Sequence, residues 1–285
     1  MIEKFILLSL FLAILLSLPA CGQVGITFAE PRIEAAIRDA TNKPEGPIFT
    51  LDLEELTTLN VEGKNIADLN GLNHCFNIIE LNLGGNQISD ITPLASLTNL
   101  TTLSLGGNQI SDLSPLAYLK NLTQLGLGWN QINDISPLSS LTNLTILGLG
   151  RNQIDDVSPL ITLVNLEILD FSANTVGNIS PLASLIELKA IDISLNQISD
   201  ISPLVSLTKL VSLDLSANQI NDLSPLMYLT NLSQLGLRWN QISDISPLVS
   251  LINLERVNLM NNPLSTESID IYMPQLKQIA VIVAW

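Results

Sequence analysis

The sequence is poor in the residues on which most catalytic and metal chemistry is built. It holds one histidine and two cysteines in 285 residues. The cysteines, Cys21 and Cys75, fall in unrelated stretches, so neither a disulfide framework nor a zinc-type spacing is present. His74 has no serine or cysteine partner that can be aligned with it, and no glycine-rich phosphate loop occurs. These absences argue against an enzyme and leave no cofactor or metal to expect. Basic residues are scarce as well: 12 Lys and Arg face 27 Asp and Glu, a net charge of −15. Nucleic acid, which needs a basic footprint, is thereby excluded, while a cationic partner is favoured. Aromatics make up 4% of the chain. The longest uncharged apolar run, Phe5 to Leu18, is fourteen residues, short of the roughly 20 that span a bilayer.

What the chain has in abundance is one phrase. Stated most cleanly from Leu81 to Thr102 as LNLGGNQISDITPLASLTNLTT, it returns at Leu103, Leu125, Leu147, Leu169, Ile191, Leu213 and Leu235, and in blurred form at Leu59 and Val257. An asparagine marks it every 22 residues, at Asn86, Asn108, Asn130, Asn152, Asn174, Asn196, Asn218, Asn240 and Asn262. Repetition at this period over some two hundred residues means a solenoid, and the LxLxxN core places it among the leucine-rich repeats. The expected fold is an α/β solenoid of about ten coils, a right-handed horseshoe. Its parallel β-sheet lines the concave face and 3₁₀ turns form the convex face.

The phrase explains its own fold. Leu81 and Leu83 alternate with Glu80 and Asn82, so a short strand turns its leucines inward and their neighbours outward. Stacked at about 4.8 Å per strand, ten coils make an arc of roughly 50 Å. The chain then turns at Gly84-Gly85-Asn86, where an amide that both donates and accepts can satisfy buried backbone groups. Ile88, Ile91, Leu94, Leu97 and Leu100 complete the core. Asp90 is placed to close an Asx turn, and Thr92-Pro93 reads as the N-cap and first residue of a short 3₁₀ turn. The aspartate recurs at Asp68, Asp112, Asp134, Asp156, Asp200, Asp222 and Asp244. Much of the negative charge is therefore architectural. Cys75 stands where other coils carry Leu97 or Leu119 and reads as a buried filler.

The ends depart from the phrase. Residues 1–20 read as a signal peptide, with Lys4 before the apolar run. Leu18-Pro19-Ala20-Cys21 resembles the bacterial lipobox, which implies cleavage before Cys21 and lipidation of it. The alternative is ordinary cleavage after Ala20, with Cys21 a free thiol. Residues 21–28 then form a lipidated tether, the chain's only tie to a membrane. Residues 29–58 are expected to cap the array with a helix over Pro31–Ala40 and a short strand at Ile48–Leu51. The array itself runs over 59–262. Residues 263–285 are expected to close it with a helix from Ser265 to Tyr272, an interruption at Pro274 and a last strand near Val281–Val283.

With NQISDISPLxxLTNLxxLxL in view, the repeats resemble those of internalins, the 22-residue leucine-rich repeat proteins of bacterial surfaces. The resemblance spans roughly Leu59 to Asn262 and implies protein recognition on the concave face. It does not carry host-cell invasion with it, since neither an immunoglobulin-like module nor a sorting motif is seen after the array. The expected function is a non-enzymatic, extracytoplasmic scaffold, lipid-anchored at the cell surface or in the periplasm, that recognises a protein or peptide.

Side chains alternating with the strand leucines are free of packing duty. One column runs Asn82, Ser104, Gly126, Gly148, Asp170, Asp192, Asp214, Gly236 and contains an acidic track suited to a basic peptide or a cation. Its plain alternative is a common filler of this repeat, and calcium is a weaker match because it wants six to eight converging oxygens. Beside the track lies an apolar stripe of Ile146, Ile168 and Ala190. Beyond the strand come Trp129, Arg151, Leu195, Arg238 and Trp239, the tryptophans and arginines being the types enriched at binding hot spots. The expected ligand-binding set is Trp129, Arg151, Ile146, Ile168, Asp170, Asp192, Asp214, Arg238 and Trp239. The tryptophans also suit a sugar ring, which makes carbohydrate or cell-wall binding the alternative, and either of them can instead be shielding a turn.

Overall fold

The LxL element builds strands only three residues long, because the turn four positions after its first leucine ends each one. A computed structural model of the chain describes residues 25–278 and 282–285. Cys21 and the apolar run before it lie outside the described residues. Among those described there are eleven strands: β1 Thr58–Asn60, β2 Glu80–Asn82, β3 Thr102–Ser104, β4 Gln124–Gly126, β5 Ile146–Gly148, β6 Ile168–Asp170, β7 Ala190–Asp192, β8 Ser212–Asp214, β9 Gln234–Gly236, β10 Arg256–Asn258 and β11 Ile282–Ala284. They form one sheet in chain order, every pair parallel. Register follows the repeat, Leu81 opposite Leu103 and Leu103 opposite Leu125. Each return crosses over right-handed, as parallel connections do. The result is the leucine-rich repeat horseshoe, with the sheet on its inner wall.

The core is one continuous column of leucine and isoleucine running the length of the array. Leu81, Leu83, Ile88, Ile91, Leu94, Leu97 and Leu100 are all at most 1% exposed, and the same places are filled coil after coil. Phe171 is the aromatic within the array itself, and Phe28 joins the column at its N-terminal end. Cys75 is wholly buried at the leucine place, and burial pushes its thiol up to about 12, so it has no nucleophilic character near neutrality.

Buried polar groups in the turns are satisfied by the asparagine ladder. The Asn174 amide donates to the Leu149, Phe171 and Ser172 carbonyls at 3.1, 2.9 and 3.2 Å, while its Oδ1 accepts the Ile154 N–H at 2.9 Å. The bonds to Leu149 and Ile154 cross to the previous coil, so each asparagine fastens two rungs together. No buried side-chain nitrogen or oxygen among the described residues lacks a partner.

On the convex side the 3₁₀ turns fall where expected, from Thr92–Ser96 to Ser246–Ser250. Their cap is different. Ile91, with no polar side chain to offer, takes the capping position, and Thr92 is already the first residue of the turn. Asp90 supplies the side-chain bond, its Oδ1 accepting the Thr92 N–H at 2.8 Å, as Asp112 does for Ser114. The hydroxyl instead donates to the aspartate, Ser114 to Asp112 Oδ2 at 2.9 Å. Asp90 thereby closes the Asx turn expected of it, and the Ser or Thr hydroxyl at that place is left to make a charge-assisted bond to the carboxylate. Asn178 fills the place in the one coil without the acid.

Helix α1, Pro31–Ala40, buries Ile33 and Ile37 against the first coil, while Ala40 is exposed. Glu30 Oε1 accepts the Ala67 N–H at 3.0 Å, and Arg32 donates to the Lys64 carbonyl at 2.7 Å, tying this end to the array. The strand expected at Ile48–Leu51 is a single antiparallel bridge from Ile48 to Ile26, followed by a 3₁₀ turn over Thr50–Leu53. At the other end Pro274 does not interrupt the helix. The chain widens into a π-helical turn over Ser268–Tyr272 and continues as α2, Met273–Gln278. Proline lacks the N–H that the regular ladder needs, and the wider turn absorbs that loss. Buried Ser268 donates to the Ser243 carbonyl and accepts the Ile245 N–H, and Met273 and Leu276 cover the core.

A candidate ligand-binding lining on the concave face

Two outward columns flank the buried strand leucines, and register makes each continuous. In the first, Ile146 pairs with Ile168 and Ile168 with Ala190; Ile168 is the most open of the three and the others are half-buried. In the second, Asp170 pairs with Asp192 and Asp192 with Asp214. The three carboxylates therefore stand one strand spacing apart, about 4.8 Å. Each is held by its own turn: Asp170, Asp192 and Asp214 accept the N–H of Ser172, Ser194 and Ser216 at 2.8, 3.0 and 2.8 Å. The middle one is perturbed. Partial burial, opposed by the Ser194 bonds and reinforced by Asp214 and Asp170, raises the Asp192 carboxyl above its usual range. Among the described residues no group of three His, Cys, Asp or Glu side chains is placed to hold a metal ion.

The column beyond the strand carries the more informative signal. Its first members are Gly63, Gly85 and Gly107, all at positive φ. The next are Trp129, Arg151, Ala173, Leu195, Ala217, Trp239 and Asn261, at φ between 53° and 61°. A left-handed backbone costs an L-residue about 1–2 kcal/mol. It is held in place because the ladder continues through the turn: Trp129 N–H donates to the Gly150 carbonyl at 2.8 Å and Trp239 N–H to Met260 at 2.9 Å. Burial offers no compensation, since Trp129, Leu195 and Trp239 are 62%, 53% and 55% exposed. Strained, bulky and exposed residues in a place where glycine suffices point to a role outside folding. The three leading glycines were the one trace of this geometry in the sequence.

Not all the expected site residues meet. Trp129 and Arg151 form one subsite, the guanidinium stacked 3.9 Å from the ring centre. That stack covers one face of the Trp129 ring. Trp239 lies five coils further on, about 24 Å at the strand spacing. It belongs to a second subsite, a notch of about 380 Å³ lined by Ser194, Leu195, Asp214, Ser216, Ala217, Arg238 and Trp239. Arg238 sits one residue before the left-handed place, so it rims this notch instead of extending the Trp129–Arg151 column. Ala217 and Ser216 form the notch floor and escaped notice in the sequence, because alanine and serine carry no signal of their own. His74 stands apart, half-buried and edge-on to Phe76 with the ring centres 6.5 Å apart.

A single wall of in-register strands, with its leucines inward and a varied outer column, defines a leucine-rich repeat protein. The model of the family described as leucine-rich repeats (2 copies) matches residues 77–118, 120–162, 142–184 and 186–226. Among solved structures, an internalin C2 from Listeria monocytogenes is 40% identical, with 74% of this chain and 94% of that one covered and a TM-score of 0.72. An internalin F from the same organism is 32% identical over 90% of this chain and 88% of that one, TM-score 0.62. The leucine-rich repeat ectodomain of a plant membrane receptor kinase from Arabidopsis thaliana, in complex with CASPARIAN STRIP INTEGRITY FACTOR 2, is 25% identical over 68% of this chain and 25% of that one, TM-score 0.63. No curated protein sequence matches. The chain belongs to the internalin-type leucine-rich repeat proteins. No helix among the described residues is long and apolar enough to cross a membrane.

Proposed function

We propose that the chain is a non-enzymatic, extracytoplasmic scaffold that recognises a protein or peptide through its concave wall, tethered by a lipid on Cys21. The observation that carries the reading is the left-handed column, where Trp129, Leu195 and Trp239 are held strained and exposed, the last two next to the acidic track. Aromatic and arginine anchors of this kind dominate binding energy in protein interfaces. A basic segment suits the Asp170–Asp192–Asp214 track and the overall charge of −15. The receptor ectodomain of similar fold, solved with its bound factor, is consistent with such a use.

The test is crosslinking from the concave wall in the native envelope. Capture of a defined partner by the wild type should fall about tenfold or more in Trp129→Ala, Trp239→Ala and the combined Asp170/Asp192/Asp214→Asn change, the range of hot-spot losses. Undiminished capture by all three would remove the reading. Mass spectrometry of the mature N-terminus tests the anchor, with a diacylated Cys21 expected. Carbohydrate binding is the second reading, and the exposed Trp239 ring is what favours it. A glycan array on which Trp239→Ala loses a signal shown by the wild type would establish it.

A further inference from the structure

Resting on that reading, we infer that the notch between Leu195 and Trp239 is an anchor pocket. It takes one apolar side chain of a peptide whose adjacent residue is cationic. The walls belong to alternate coils, so they stand about 9.6 Å apart at twice the strand spacing. Ala217 lies between them, at φ 55° like its neighbours but with only a methyl group to fill the gap. The open notch, about 380 Å³, is at the small end for ligand cavities. It suits a side chain and not a whole folded element.

Polar groups around the notch set what lies next to that side chain. On the strand side, Asp214 Oδ1 accepts the Ser216 N–H, while Oδ2 has no hydrogen bond among the described residues. The carboxylate leans across Gly236, where an added Cβ would fall 2.3 Å from Oδ1. Glycine at that place is what makes room for it. Asp192 and Asp170 continue the negative wall away from the notch. Arg238, also lining the notch, is exposed and makes no ion pair among the described residues, so its guanidinium can serve a peptide carbonyl. An apolar side chain between Leu195 and Trp239, a lysine or arginine on Asp214 and a carbonyl on Arg238 satisfy every group around the notch.

The experiment titrates the full chain with acetyl-Ala-Leu-Lys-Ala-amide. The Ala217 methyl and the Trp239 indole N–H are followed by NMR. Both signals should shift saturably while the Trp129 indole stays still. Replacing the peptide leucine by alanine should weaken binding about tenfold, and replacing lysine by glutamate by a similar factor. Ala217→Leu should abolish the shift of Trp239, and the fold should tolerate it because Leu195 occupies the same backbone conformation. Gly236→Ala, which displaces the Asp214 carboxylate, should weaken the lysine peptide and leave acetyl-Ala-Leu-Ala-Ala-amide unchanged. Equal binding of the lysine and glutamate peptides would overturn the assignment. So would unaltered binding in Ala217→Leu, or a Trp239 shift produced by N-acetylglucosamine and by none of the peptides. Crosslinking separates the two levels. If Ala217→Leu captures the native partner fully while Trp129→Ala does not, the notch assignment falls and the concave-wall reading stands.

Discussion

A convex column of aspartate runs along most of the array, whereas a concave one spans only three coils. The two make the same local bond, yet Asp192, in the middle of the short one, is shifted the opposite way. On the convex side Asp90, Asp112, Asp156 and Asp200 each accept the N–H two residues on, and hydrogen bonds from Ser or Thr hold their carboxyls below the usual range. On the concave side Asp192 makes the same bond to Ser194, yet its carboxyl is raised by burial and by the carboxylates on either side. Curvature is the difference. Convex side chains splay into water, which screens one coil from the next, whereas the inner wall crowds its residues and dries them. A convex aspartate serves its own turn. The inner three oppose one another, as charges kept for something outside the fold would.

That contrast between residues serving the coil and residues facing outward is sharpest where the side chain is buried. Asn174→Ala strips an amide that donates three bonds and accepts one, so urea denaturation should show a loss of about 3 kcal/mol or more. A variant within 1 kcal/mol of wild type would show that the ladder is dispensable. Asp112→Ala should lose about 1 kcal/mol, the value of a capping residue. The left-handed column should behave in the opposite way. Trp239→Gly relieves about 1–2 kcal/mol of backbone strain against about 0.5–1 of glycine entropy. It should raise stability by about 0.5–1 kcal/mol on that balance while losing the ligand. Trp129→Gly also gives up the Arg151 stack, worth about 0.5–1 kcal/mol, and should come out near neutral. If Trp239→Gly is destabilising, the exposed ring has a folding role after all.

The smallest effects carry the sign of the comparison in their pH dependence. Asp112 is shifted down, so its contribution is present above the ordinary carboxylate pKa and disappears as pH falls through the lowered one. Asp192 is shifted up, so its ionised form opposes folding above the raised pKa and ceases to do so below the ordinary one. Asp192→Asn should therefore be slightly more stable than wild type at pH 7, with the gain gone in acid. Asp112→Asn should be less stable at pH 7, with the loss gone in acid. Thermal melts across that window measure both, and parallel slopes would erase the distinction.

How much was legible depended on whether a residue's job repeats. The strand leucines, the asparagine ladder and the convex aspartates recur every 22 residues, so their roles could be assigned from one coil and checked on the rest. The pattern misplaces the cap of the 3₁₀ turn by one residue, because the turn opens from Ile91 and Thr92 already lies inside it, its N–H held by Asp90. It fails again at Pro274, because the π turn that accommodates the proline answers to packing against the last coil and has no pattern in the chain. The bonds of a second ladder have no signature in the sequence. Asn99, Asn121, Asn143 and Asn165 each donate to a carbonyl of the previous coil at 2.9 Å, and Glu187 and Lys209 replace the next pair with an ion pair. Asn-Leu was visible as a motif, but its donor's target lies one coil away.

Periodicity alone determined that this chain stacks into a solenoid, which side chains turn inward, and which stay free, because burial of a leucine every few residues admits no other register. It could not determine which free residues share a pocket. Leu195, Ala217 and Trp239 stand 22 residues apart in turn, and whether they enclose a space depends on strand spacing, on a left-handed backbone at each, and on the curvature that leans one coil toward the next. Those quantities exist only once the coils are stacked.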